Sequence, residues 1–311
     1  MMNSRALSGC LILAALGPGA VGARAPQNLS LPQTPNPEIK LTPAEIELYR
    51  SAQTLIDWTP DEIQHCAYLH GLQPTGSQDQ LPAILDRVGQ TCAHRLDDFL
   101  NVTCDEEVAS KGSRSYSRVA RDFHYVVVRG PGGDLPAFAE YRTDLKNEPV
   151  NPASFWDFSM ITSGFAASWS FFRPEERQDS HFRYFGTQTI RDRECQVAGF
   201  AQDPERATDL GVFHMQGTSA TVVVQGLAWI DAQTFQVLRI TTWLLAPRRD
   251  IGLSSQISTV DFYLVRPIGT ERLMWLPRDV QVEALFRGRK VHNTHQYSNY
   301  KLFRVESTIK P

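Results

Sequence analysis

Residues 222 to 245 read VVVQGLAWIDAQTFQVLRITTWLL, and their reading decides the fold. Two extended runs flank Asp231-Ala232-Gln233-Thr234, a polar segment suited to a type I hairpin turn. In the second run Phe235, Val237, Arg239, Thr241 and Trp243 alternate with Gln236, Leu238, Ile240, Thr242 and Leu244, so side chains of both kinds reach both faces. The first run is nearly all apolar over Val222–Val224 and Leu227–Ile230, as a strand buried on both sides would be. β-Branched and aromatic residues dominate and Gly226 interrupts the middle, which argues against a helix. The stretch is expected at the centre of an antiparallel sheet.

Downstream and upstream of it the texture is the same. NVTCDEEV, SYSRVARDFHYVVVR and LPAFAEYRTDL are short extended runs separated by Gly, Pro and Asp. HFRYFGTQTI and CQVAGFA flank Arg191-Asp192-Arg193, a hairpin. SQISTVDFYLVR, RLMWLPRDVQVEAL and KVHNTHQYSNYKLFRVES follow the central hairpin, with Gly288 in the last turn. Pro277 implies an edge or a bulge rather than an uninterrupted central strand. Strand follows strand without helices between them, so the sheet is mainly antiparallel, with helices on one face or one end, and a parallel βαβ fold is excluded. Residues 151 to 168 are strongly apolar and read either as a short helix feeding a strand or as a loop over the sheet.

The helices lie earlier. Thr42-Pro43-Ala44-Glu45 and Thr59-Pro60-Asp61-Glu62 are two capping boxes with Pro at the first helical position. They predict helices ending near Asp57 and near Gly71. A third helix, from about Asp79 to Phe99, follows from the stripe Leu81, Ile84, Leu85, Val88, Cys92 and Leu96.

Before these helices, residues 26–41 are Pro-rich and polar, a flexible tether. Residues 1–25 carry Arg5 and then an apolar, small-residue run from Ala6 to Ala23, the pattern of a secretory signal peptide cut after Gly22 or Ala25. A retained anchor is the alternative, although the run is short for a bilayer span of about 20 residues. The letters Leu7-Ser8-Gly9-Cys10 match a lipoprotein-processing box, but the apolar run follows Cys10 instead of preceding it. The domains expected are thus 1–25 signal peptide, 26–41 tether, 42–100 helical segment and 101–311 sheet domain. The protein is expected to be exported, periplasmic or extracellular, with no transmembrane segment after cleavage.

A net charge of −3 on 311 residues gives no electrostatic reason to expect nucleic acid or an anionic membrane as partner. Export would place Cys66, Cys92, Cys104 and Cys195 in an oxidising compartment, where an even number suggests two disulfides. Of the three connectivities, Cys66–Cys92 with Cys104–Cys195 is the one chosen, because the first two fall on successive helical segments and the last two in strand-like runs. Buried thiols are the alternative.

Catalytic and cofactor motifs are missing. There is no G-x-S-x-G, P-loop, dinucleotide fingerprint or H-E-x-x-H. His292 and His295 lie three apart on a strand and point to opposite faces, and Glu106 and Glu107 are separated in the same way. His65 and His70, five apart, fall on different helix faces. No metal site, cofactor or catalytic residue is therefore expected. The large rings stand out instead, and a curved sheet with an apolar ligand on its concave face would use them. A plain core between helices and sheet would use them too.

Gly164-Phe165-Ala166, FRYFGTQ, AGFAQDP, QGLAWIDAQTFQVLRITTWLLAPR, IGLSSQ, WLPRDVQVEA and HQYSNYKLF together are similar to a family of exported bacterial proteins without assigned function. More distantly, the strand order and export signal resemble the lipoprotein-carrier fold (LolA-, LolB- and RseB-like), a curved antiparallel sheet closed by helices over an apolar cavity. The resemblance implies fold alone.

The expectation is thus an α+β protein, an incomplete barrel with an N-terminal helical segment packed on it. The first functional reading is a non-enzymatic binding protein for a lipid, an acyl chain or a lipidated partner, its site lined by Phe165, Tyr184, Trp229, Trp243 and Trp275. The alternatives are an envelope interaction or structural protein whose aromatics are all core, and an envelope hydrolase. These three predict an apolar tunnel, a filled interior, and a cleft where a histidine meets a carboxylate.

Overall fold

The computed structural model describes residues 40–99, 102–112, 119–129, 138–150, 168–207, 211–215 and 218–303. The expected signal peptide, nearly all of the tether, the 151–167 stretch and Phe165 lie outside them.

Both capping boxes form. Thr42 starts α1 (Pro43–Arg50) and Thr59 starts α2 (Pro60–His65), each with its hydroxyl accepting the N3 amide and the N3 glutamate closing back on the cap. Both helices are shorter than expected. Beyond α1 the chain breaks and re-forms a 3-10 turn at Leu55–Asp57. There Leu55 is buried and its N–H donates to Gln225 Oε1 at 2.7 Å, a bond that a continuous helix would have turned back on its own axis. Beyond α2, Cys66 is extended (φ −73°, ψ 114°) and a second 3-10 turn spans Ala67–Leu69. Then come β1 (Gln73–Pro74) and α3 (Leu81–Phe99), on which Ile84, Val88 and Cys92 of the expected stripe are buried.

The strands follow as β2 (Val102–Gly112), β3 (Val119–Arg129), β4 (Phe138–Thr143), β5 (Ser180–Ile190), β6 (Arg193–Gln202), β7 (Gly211–Met215), β8 (Thr218–Val222), β9 (Val224–Asp231), β10 (Val237–Leu244), β11 (Leu253–Val265), β12 (Met274–Phe286) and β13 (Arg289–Leu302). β7 and β8 form a separate hairpin. The others make one open eleven-stranded sheet in the order β1-β5-β6-β9-β10-β11-β12-β13-β2-β3-β4, every neighbour antiparallel. The quoted stretch is the fourth and fifth strands of that order. Its turn is locked by Asp231, whose Oδ1 accepts the N–H groups of Gln233 and Thr234 and the Thr234 hydroxyl, while Phe235 enters the left-handed region at φ 55°. Pro277 lies beside a register shift between Asp261 and Phe262, so the bulge reading holds on an interior strand.

The sheet curls around α3. One continuous core joins Ile84, Val88 and Cys92 of α3 with Tyr184 and Phe200 near one edge and Cys104, Tyr125 and Val127 near the other. The 3-10 turn Ser168–Phe172 fills the same side, with Trp169 and Phe172 fully buried. α3 approaches it closely, since a side chain at Gly89 would press on the Phe172 carbonyl oxygen at 3.0 Å. The opposite face carries a second core of Leu55, Leu69, Phe185, Cys195, Val197, Leu227, Trp229 and Leu238, covered by the chain around α2. Helical segments thus lie on both faces.

That division corrects the expected disulfides. All four cysteines are free thiols. Cys92 and Cys104 belong to the core around α3, whereas Cys195 and the partly buried Cys66 belong to the opposite one. Either expected pair would have to bridge through the sheet, beyond the reach of one disulfide.

Candidate functional site

Alternation along β10, with a bulge at Leu238, sends Trp243 to the face carrying the second core. There it stacks with two rings from the chain around α2. Trp58 lies at 5.9 Å between centroids and 16° between planes, and Tyr68 at 6.4 Å and 11°. β5 holds both outer rings in place through backbone carbonyls. Arg183 Nη1 donates to the carbonyls of Ile56 and Trp58 at 2.9 and 2.6 Å. Gln188 Nε2 donates to those of Tyr68 and His70 at 3.2 and 2.9 Å. The same Gln188 accepts the Trp229 indole N–H on its Oε1 at 2.8 Å.

Beside the stack is a groove of about 270 Å³, lined by Tyr68, Trp243, Leu244, Pro247 and Ile257, with Ser254, Ser255 and Gln256 along its rim. Tyr68 is 38% exposed. Burial, and after it the nearby Glu283 carboxylate, push its phenol above the usual range, so it stays neutral. The groove offers apolar contact and a few hydroxyl and amide groups. Among the described residues neither Ser254 nor Ser255 is hydrogen-bonded to a histidine, and no group of three or more His, Cys, Asp or Glu side chains could hold a metal ion. No helix among them is long and apolar enough to cross a membrane.

A histidine and a carboxylate do meet elsewhere, inside the curl of the sheet. Arg142 donates through Nε and Nη2 to the two oxygens of Glu106 at 2.5 and 2.7 Å, and His295 Nδ1 lies 2.8 Å from Oε1. All three are at most 5% exposed, so they form a buried network and not a cleft. Burial pushes the Glu106 carboxyl up, but the Arg142 charge and the His295 and Arg142 hydrogen bonds outweigh it and hold its pKa at about 2. Burial holds His295 below its usual range against the pull of Glu106, so the neutral ring donates its Nδ1–H. Burial also pushes the Cys195 thiol up to about 11 and that of Cys104 well above its usual value, which leaves both poor nucleophiles.

Of the residues singled out from the sequence, Trp243 lines the groove, Trp229 is buried in the second core, which Trp243 flanks, and Trp275 stands opposite Leu264 at the other end of β11, away from the groove. Tyr184 is buried on the other face, in the core around α3. Tyr68, Trp58, Gln188 and Arg142 escaped the sequence reading. Tyr68 and Trp58 reach the stack only because two helices end early, which no motif announces. Glu106 and His295 carried a signal, since each stands in an apolar alternation (Val102, Cys104, Glu106, Val108 and Val291, Asn293, His295, Tyr297).

No family model matches the chain, and no curated protein matches it in sequence. Among solved structures it is similar to a domain from Vibrio parahaemolyticus described as an outer membrane lipoprotein-sorting protein, at 11% identity and TM-score 0.39, over 73% of this chain and 93% of that one. A DUF1329 family protein from Desulfovibrio piger is similar at 12% identity and TM-score 0.39, over 72% and 94% of the two chains. A LolA superfamily protein from Nitrosomonas europaea is similar at 12% identity and TM-score 0.33, over 71% and 97%. Each of these likenesses is a distant one, of fold alone.

Proposed function

We propose that the protein is an exported, non-enzymatic binding protein that holds an apolar chain, from a lipid, an acyl group or a lipidated partner, in the groove beside Trp243. The observation that carries this reading is the apolar groove lined by the stacked rings of Tyr68 and Trp243. Tyr68 and Trp243, stacked nearly parallel, both present apolar surface to the groove, from which a ligand would displace water. Its volume is near the lower end for ligand sites and suits the end of one chain better than a whole lipid. Of the other rings expected at the site, Trp229 shares the second core with Trp243, Tyr184 lies on the other face, Trp275 stands at the far end of β11, and Phe165 is outside the described residues.

Native mass spectrometry of the mature protein, purified gently from its own cell envelope, tests this. A bound mass removed by solvent extraction and identified as lipid is expected, and Trp243→Glu should lose it while keeping its far-UV circular dichroism. Retention of the same mass by the variant would sink the assignment of the groove. A second reading, an interaction protein without a ligand, draws on the core around α3, where the large rings Trp169 and Phe172 are fully buried. It predicts a bare protein that retains a protein partner in a pull-down.

A further inference from the structure

Charge is one-sided at the end of the sheet where β10 passes into β11 and β12 turns into β13. Arg249 begins a 3-10 turn ending at Ile251, and the carbonyl of the following Gly252 accepts the Arg287 N–H at 2.7 Å. The β12–β13 turn then reads Arg287-Gly288-Arg289-Lys290. All four cations, Arg249, Arg287, Arg289 and Lys290, are exposed there. Arg287 donates to the Thr218 hydroxyl at 3.0 Å, and among the described residues Arg249, Arg289 and Lys290 enter no ion pair. Of the carboxylates nearby, Asp250 and Glu45 share Arg248 at 2.8 and 2.9 Å, and Glu283, opposite Ile257, faces His292 at 3.3 Å, so cations outnumber anions here without standing alone. In a chain of net charge −3 this is a local reversal of sign.

The groove lies toward the same end. Ser255, on its rim, pairs with Leu285, and Leu285 pairs with Lys290, so the three stand in one row across β11, β12 and β13. With strands about 4.8 Å apart, Lys290 is rooted about 10 Å from the groove wall, and its flexible stem leans along that row. Pro247, another lining residue, precedes Arg249 by one buried arginine. An apolar hollow with an excess of cations at one margin fits a molecule of the same polarity: a chain that gains by leaving water, and a head whose negative charge the margin attracts.

We propose that the groove takes an anionic amphiphile, with its apolar chain against Trp243 and a phosphate- or carboxylate-bearing head against Arg249 and Lys290. This rests on the groove being the binding site. The test is isothermal titration calorimetry of the mature protein with three probes below any micelle threshold: decyl phosphate, decanol and inorganic phosphate. Decyl phosphate is expected to bind roughly tenfold tighter than decanol, with inorganic phosphate silent at the same concentrations, as a few partly solvated charge contacts would give. Arg249→Ser with Lys290→Ser should bring decyl phosphate to the level of decanol and leave decanol unchanged. Equal affinity for decyl phosphate and decanol in the unaltered protein overturns the charged-head assignment and leaves the groove standing. Inorganic phosphate binding as tightly as decyl phosphate overturns it in favour of a free-anion site. Silence from all three removes the groove reading as well.

Discussion

Single residues carry an unusual share of the sheet's order. The β10–β11 ladder runs out at Arg239↔Asp261, and the next two carbonyls, Leu238 and Phe262, are both taken by Arg191, at 2.7 and 3.0 Å. A planar guanidinium can serve both at once, and a lysine cannot hold the same fork. Arg191→Ala should therefore cost about 3 kcal/mol in urea unfolding, with Arg191→Lys recovering less than half. A neutral alanine variant would refute the staple. The Glu106 network gives a pH dependence. Glu106 is held at about 2 against an ordinary 4.5, so its stabilisation is complete above 4.5 and drains away as pH falls towards 2, amounting to about 3 kcal/mol. His295, held below its ordinary 6.5, acts in the same direction from a higher onset, because the unfolded chain takes up a proton that the folded one refuses. Stability should begin to decline below about pH 6.5, and His295→Gln should abolish that first decline and keep the second. Urea midpoints at pH 7, 5.5 and 3.5 separate the two. Alternation made the burial of Glu106 and His295 legible in the sequence, but Arg142 arrives from β4, and nothing local names it as their partner.

At the scale of elements, local chemistry was legible and its interruption was not. The two Thr-Pro-x-Glu boxes specify helix starts from within four residues, and both starts are where those letters put them. The helix ends depend on where Leu55 and Tyr68 must go, which is decided by residues more than a hundred positions away. Turns divide in the same way. Gly288 announces its hairpin, but Arg191 and Asp192 turn between β5 and β6 at φ 50° and 58° without a glycine, and Phe235 does so at 55°. Gln188 is the element-level tie between β5, the Tyr68 turn and Trp229. Gln188→Leu is expected to lower decyl phosphate affinity several-fold by letting Tyr68 swing off Trp243, while Thr59→Ala, which only loosens the start of α2, should cost about 1 kcal/mol of stability. If Gln188→Leu leaves the affinity unchanged, Tyr68 is positioned by packing alone.

For the whole molecule, the run of strands without helices established the open antiparallel sheet. Pairing of β13 with β2 and the sharing of the large rings between two faces are long-range facts with no short signature. The cysteines illustrate the limit: counting four in a chain expected to be exported suggests two bridges, whereas the fold places them two to a face. Mass measurement after alkylation of the folded protein without reductant should show Cys66 modified first, with Cys92, Cys104 and Cys195 reacting only on unfolding, and reductant should leave the melting temperature unchanged. Two disulfides in the unreduced mass would contradict this arrangement.

The seam between β13 and β2 also sets a timetable. Glu106 and His295 stand 189 residues apart in sequence, so β2 waits for nearly the entire remainder of the chain before its second edge is satisfied. Loop closure over such a distance is slow, and contacts of this kind form late. A nascent chain therefore has no route to the finished curl until its final strand has emerged. Until then its early hairpin presents an unpaired edge and a Glu106 carboxylate that lacks the hydrogen bond of His295, and such an edge is open to wrong pairing.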